Sequence, residues 1–172
     1  MKIKTLILFL IISLAAVTLS GCKKQTVTKD SLPNSKNSTV SAKNQNVDLQ
    51  AAFAIYTNGV FRVFTAAMYH NLSKDAYIES DNPNIIKIKK ANITWDDFFK
   101  TLPFKLTSDC LTTGTQETFC TGQNGTLKFY LNDTKTDNLL SREINQDDRA
   151  LITFGNETEA QIQNQINKIP RR

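Results

Sequence analysis

The dipeptide Asn58-Gly59 constrains this chain more than any other feature, because it stands between two apolar, β-forming runs, Phe53-Ala54-Ile55-Tyr56 and Val60-Phe61-Arg62-Val63-Phe64. A two-residue connection of this kind favours a type I′ turn, whose twist matches that of paired strands. An antiparallel hairpin closing at Asn58-Gly59 is therefore expected. Ala76 to Glu79 and Ile85 to Lys89 are further strand candidates. In the second, Ile86 and Ile88 alternate with Lys87 and Lys89, giving one greasy face and one wet face.

Helical signals appear twice. Thr94-Trp95-Asp96-Asp97 opens a short helix: Thr94 caps it, Asp97 holds the capping-box position, and both acids suit the positive helix end. Phe98, Phe99 and Leu102 supply its buried face, and Pro103 ends it. Thr126 to Leu131 and Ala150 to Phe154 read as strands, with turns at Asn132-Asp133 and Gln146-Asp147-Asp148. The run from Asn156 to Ile169 has Glu159 at the capping-box position and Ile162, Ile166 and Ile169 on one stripe, the pattern of an amphipathic terminal helix. Together these elements predict a small α+β domain: a mixed or antiparallel sheet with both helices on one side and a β-grasp-like topology.

The N-terminus reads as an export signal. A cationic start, Met1-Lys2-Ile3-Lys4, precedes an apolar run from Leu6 to Val17, shorter than the roughly 20 residues that span a bilayer. The run closes on Leu19-Ser20-Gly21-Cys22, a lipobox whose cysteine thiol is acylated before cleavage. Residues 1–21 are expected to be a lipoprotein signal peptide, and residues 22–48 a lipidated, disordered tether of Lys, Ser, Thr, Asn and Gln. A flexible coil of that length reaches about 25–30 Å. Residues 49–172 then form one globular domain. The implied location is a cell membrane or outer membrane, with the domain facing the periplasm or exterior. No cofactor is implied beyond the covalent lipid on Cys22.

Charge and cysteines agree with this division. The formal net charge of +5 is concentrated near the N-terminus, because residues 49–172 carry 14 basic and 14 acidic side chains. A basic tether is attracted to anionic headgroups, whereas a neutral domain has no electrostatic footprint for nucleic acid. Beyond Cys22, the chain has one further pair, Cys110 and Cys120, expected to be a disulfide in an oxidising envelope. Their spacing is not that of a redox-catalytic Cys-x-x-Cys.

The segments Leu127-Lys128-Phe129-Tyr130-Leu131-Asn132 and Asp147 to Gly155 resemble the last strands of ubiquitin-like sulfur carriers. Those carriers end in a free Gly-Gly, whereas here Gly155 is single and more chain follows. A wider set of features resembles a family of small exported proteins known mainly from genomes of uncultured bacteria and some archaea. The resemblance covers roughly residues 50–169. It rests on Phe53 to Gly59, Tyr77-Ile78-Glu79-Ser80, Ile93 to Phe99, the two cysteines, Asn124 to Asn132, and Gly155-Asn156-Glu157 leading into a helix. Members often carry His-x-His near the first strand and His-Thr-His-Asp ahead of the central helix, which implies a metal site there. This chain departs from that pattern. Gln50, Ala51 and Ala52 precede the first strand, and only His70 with Asp75 remains near the second place. The resemblance implies fold and location, and names no activity.

Catalytic constellations are missing from the sequence. His70 is the sole histidine, so His70 and Asp75 are a metal candidate short of the three or four ligands a transition metal takes. Asp96-Asp97 suits a helix start and Asp147-Asp148 a solvated turn, and neighbouring residues point apart, so neither is a general acid–base pair. No Gly-x-Ser-x-Gly or phosphate-cradling loop is present. Asn-x-Ser/Thr recurs, for example at Asn71-Leu72-Ser73 and Asn124-Gly125-Thr126, and reads as polar loop composition in a chain that carries a lipobox. Phe61, Phe64, Met68 and Tyr69 are the candidate protein-binding patch, with core packing the favoured reading of the same cluster. The leading expectation is a non-enzymatic interaction module with an envelope protein partner. A small-ligand or metal-binding envelope protein is the alternative, and an enzyme ranks last.

Overall fold

The computed structural model describes residues 45–122 and 124–171, so the expected signal, Cys22 and most of the expected tether lie outside the described residues. Strand β1 (Asn46–Thr57) begins inside the expected tether, because Val47 and Leu49 alternate onto the core and Asn46 pairs with Lys90. From Ala51 to Thr57 every residue is buried. A strand covered on both faces belongs at the centre of a sheet.

The remaining elements are β2 (Val60–Phe61), β3 (Ala76–Ile78), β4 (Ile85–Lys90), α1 (Trp95–Phe99), β5 (Lys105–Leu106), β6 (Cys110–Thr112), β7 (Thr118–Cys120), β8 (Thr126–Leu131), β9 (Thr134–Lys135), β10 (Arg149–Gly155) and α2 (Glu159–Asn167). The main sheet runs β3-β4-β1-β10-β8-β9, with β2 on the far end of β1, and β5-β6-β7 form a second small sheet. Only the β1–β10 pair is parallel; Ile55 faces Ile152 there, and the other described pairs are antiparallel. The order β4-β1-β10-β8-β9, with a helix between its second and third strands in sequence, is that of a β-grasp sheet. The α+β fold expected from the sequence is therefore present.

The expected hairpin forms, with Asn58 at φ 50°, Gly59 at φ 75° and Thr57 opposite Val60. Positive φ at both central residues is what a type I′ turn requires. β2 stops at Phe61, short of the expected Phe64. Helix α1 keeps the expected box: Asp97 N–H donates to Thr94 Oγ1 at 3.1 Å, and Thr94 N–H donates to Asp97 Oδ2 at 3.0 Å. In α2 the cap is Thr158 and the box partner is Gln161, not Glu159, so the helix starts later than the apolar stripe suggested.

The two helices lie on opposite faces of the sheet, not on one. Trp95, Phe98 and Phe99 of α1 join Phe53, Ile55, Ile86, Ile88, Phe129 and Ile152 in one layer. Ile162, Ile166 and Ile169 cover Ala52, Ala54, Tyr56, Tyr130 and Leu151 in the other. The physical reason is in β1 and β10, which are apolar on both sides and need cover on both.

The turn before β10 corrects another expectation. Asp147 is exposed at φ 63°, but Asp148 is buried. Asn132 Nδ2 donates to its Oδ1 at 2.8 Å and Asn145 N–H to its Oδ2 at 2.9 Å, so its carboxylate ties two turns together.

At the other end of β10, Lys128 Nζ donates to Glu157 Oε2 at 2.7 Å and to the Gly155 carbonyl at 2.8 Å. Thr153 Oγ1 donates to Glu157 Oε1 at 3.0 Å. Gly155 has φ 152°, and a Cβ there would lie 2.6 Å from Glu157 Oε1, so glycine is what lets the carboxylate fold back. Burial alone would push the Glu157 carboxyl up, but hydrogen bonds from Lys128, its own backbone N–H and Thr153, together with the lysine charge, hold it below its ordinary 4.5. A depressed carboxyl stabilises the fold above its unfolded pKa and loses that contribution as pH falls through the folded value. Denaturant midpoints measured from pH 7 downward should therefore fall less steeply below about pH 4.5 in Glu157→Gln than in the parent, from a lower starting stability. Parallel acid limbs would show that this pair is not linked to folding.

Candidate binding cleft

Three of the four residues in the candidate patch converge on one cleft of about 220 Å³. Leaving β2, the chain drops Phe64 into the core, 4% exposed, where its ring meets Phe53 at 5.2 Å and Tyr69 at 5.1 Å between centroids. A 3-10 turn at Ala67–Tyr69 presents the Tyr69 ring. Phe61 leans on Tyr56 at 5.2 Å and forms the outer lip. Met68 is 53% exposed and stands outside the lining.

The opposite wall comes from the small sheet and the chain before it, through Phe104, Leu111 and the loop Thr113-Gly114-Thr115. Sequence patterning did not single these residues out, because they lie some forty residues or more from the hairpin and only tertiary packing brings them to it. A Cβ at Gly114 would sit 3.1 Å from the Pro103 carbonyl and 3.5 Å from the Tyr69 hydroxyl, so the absence of a side chain lets the loop close against the cleft.

Arg62 clamps the two walls. Its Nε donates to Thr57 Oγ1 at 2.6 Å, its Nη2 reaches Glu117 Oε2 at 3.3 Å, and the guanidinium lies 5.2 Å from the Phe119 ring centroid. The exposed Arg62–Glu117 pair is worth little by itself; the ring contact and the Thr57 bond give it a fixed position. At the other end of that wall Cys110 and Cys120 form the expected disulfide. They face each other between β6 and β7, 4.2 Å apart at Cα, and Thr121 N–H donates to Asp109 O beside them. That is the close, non-hydrogen-bonded type of antiparallel pair.

The outer edge of β2 is open. Arg62 N–H donates to Ile55 O at 2.8 Å, and alternate residues of an antiparallel strand turn their backbone groups away from the partner. The N–H and C=O of Phe61 therefore face outward, and among the described residues nothing pairs with them. Val60 (59% exposed) and Val63 (61%) flank this edge.

The metal candidates are engaged elsewhere. His70 Nε2 donates to the Phe64 carbonyl at 2.8 Å, which fixes the loop behind the cleft. Asp75 pairs with Lys90 at 3.3 Å. Among the described residues, no three His, Cys, Asp or Glu side chains gather into a metal-sized group. Of the remaining acids, Asp96 pairs with Lys100 and Asp97 is used in the cap. Compared with family models, characterised proteins and solved structures, the chain matches none.

Proposed function

We propose that this chain is a lipoprotein held at a membrane through Cys22, and that its extracytoplasmic domain is a binding module for an envelope protein, engaged through the cleft beside β2. The observation that carries this reading is the juxtaposition of an aromatic cleft with an unpaired strand edge flanked by exposed Val60 and Val63. An extended segment added to such an edge gains main-chain hydrogen bonds, and adjoining pockets take its alternate side chains.

The size of the cleft favours this over the small-ligand reading. At about 220 Å³ it falls below the roughly 300–1,000 Å³ of drug-sized ligand sites and suits a side-chain anchor. Position adds support. The chain enters β1 at Asn46, while the cleft starts at Ile55, about 30 Å along the strand at roughly 3.3 Å per residue. In a chain anchored through Cys22, the tether would join the domain at the opposite end of β1 from the cleft.

Fractionation and cross-linking from intact cells test both halves. Cys22→Ser should move the protein from the membrane to the soluble fraction and remove its lipid mass increment; unchanged fractionation would refute the anchor. In the anchored protein, Val60→Asp with Val63→Asp should abolish the cross-linked partner. Both sites are well exposed, so stability should shift by no more than about 0.5 kcal/mol each. Recovery of the same partner at the same yield would exclude this edge as the interface.

A further inference from the structure

Triplets of the form Asn-x-Ser/Thr begin at Asn37, Asn71, Asn92, Asn124, Asn132 and Asn156, with Asn37 outside the described residues. The asparagines at positive φ are Asn58, Asn71, Asn92, Asn124 and Asn132. All but Asn58 begin such a triplet, and of the other described asparagines only Asn156 does. Left-handed turn positions suit asparagine for backbone reasons alone. Those reasons place no demand on the residue two places further on.

At three sites the fold itself uses the hydroxyl: Thr94 and Thr158 are helix caps, and Ser73 Oγ accepts from Asp75 N–H at 3.1 Å. At Asn124 it does not: Thr126 is exposed and its hydroxyl makes no hydrogen bond among the described residues. The carboxamides also differ. Asn132 is committed, donating through Nδ2 to buried Asp148 at 2.8 Å and accepting from Arg149 N–H at 2.9 Å. Asn156 Nδ2 donates to the Asn124 carbonyl at 3.2 Å. Asn71 and Asn124 are exposed, and their carboxamides have no hydrogen-bond partner among the described residues.

We propose that Asn71 and Asn124 are N-linked glycosylation sites, filled from a polyprenyl-phosphate-linked oligosaccharide by a membrane oligosaccharyltransferase on the outer face. An Asn-x-Ser/Thr triplet on the surface of an exported chain is the acceptor such an enzyme recognises. The Nδ2 of asparagine attacks C1 of the sugar, the C1–N bond forms as the C1–O bond to phosphate breaks, and the lipid phosphate leaves with the proton lost from Nδ2. At Asn71 the glycan stands beside its chain neighbour Leu72, which is 46% exposed, and shields that apolar side chain. At Asn132 a glycan would displace the carboxamide that holds Asp148, so that triplet stays bare.

The proposal depends on export, and the experiment reads export separately. Protein purified from membranes of its own organism is digested and mapped by mass spectrometry, with the lipid on Cys22 scored in the same sample. Sugar increments are expected on the peptides carrying Asn71 and Asn124 and not on the one carrying Asn132. Ser73→Ala should remove the first increment and Thr126→Val the second, each leaving the other in place. Asn71→Gln and Asn124→Gln should do the same. Bare Asn71 and Asn124 on lipidated protein would overturn the glycan proposal while export stands; bare asparagines on protein without lipid would overturn both. Increments that survive Ser73→Ala and Thr126→Val, or a filled Asn132, would also refute it.

Discussion

Phe53→Ala should cost about 3–5 kcal/mol of folding stability, the range for removing a fully buried aromatic ring. Phe53 is 0% exposed and its ring meets those of Phe64, Phe98 and Phe99 at 5.2, 5.5 and 5.7 Å. It thus joins β1, α1 and the segment forming the cleft. Deleting it leaves a cavity bounded by rings that cannot turn to fill it without losing their own edge contacts. A domain of this size has about 5–15 kcal/mol in total, so the variant should be near its unfolding midpoint under mild denaturant. Met68→Ser, on the exposed side of the same region, should stay within about 0.5 kcal/mol of the parent. Urea melts of the two variants check this; a similar small shift in both would mean that the aromatic layer is not the structural centre.

The second large effect is expected from replacing Cys110 and Cys120 together by serine. Closing a loop with a sequence separation of 10 stabilises by about 3 kcal/mol on the chain-entropy account. The change should be concentrated in one place. β6 and β7 form only three residue pairs with each other, and they carry Leu111, which lines the cleft, and Phe119, whose ring meets the Arg62 guanidinium. Without the bridge this short sheet has little to hold its register. Amide exchange should accelerate first at Leu111, Thr113 and Phe119, while Ile55 and Ile152 in the main sheet keep their protection. Equal acceleration throughout, or coincident denaturation of the bridged and serine forms, would contradict a local role for the disulfide.

Much of the main sheet was legible because local and global demands agree there. Asn58-Gly59 has one good conformation, and it is the turn the strands need. Ile86 and Ile88 alternate with lysines because β4 buries one face more than the other. Thr94 and Asp97 satisfy each other across one helical turn wherever that helix packs. Legibility failed where tertiary placement decides. Val47 to Gln50 are too mixed to announce a strand, and β1 is extended through them by pairing with β4. The strands of the small sheet are two or three residues long, so they leave no periodic trace. Asp148 looks solvated in sequence and is buried because Asn132, sixteen positions away, turns toward it. In the cleft, Phe61, Phe64 and Tyr69 come from one continuous segment and were visible as an aromatic cluster. Arg62 and Leu111 acquire their place only when the inserted sheet folds across them.

The parallel pairing of β1 with β10 has a consequence for timing. The central strand near the N-terminus has its closest neighbour on one side in the last strand of the chain, so the sheet cannot be completed by any N-terminal fragment. Until β10 emerges, β1 presents an apolar, half-paired strand, the kind of segment that chaperones bind and that does not settle into a stable fold. For a protein exported as proposed, this ordering keeps the chain threadable. A partly synthesised or partly translocated molecule has no locked core to jam a channel, and folding waits for the compartment into which the final strand is delivered.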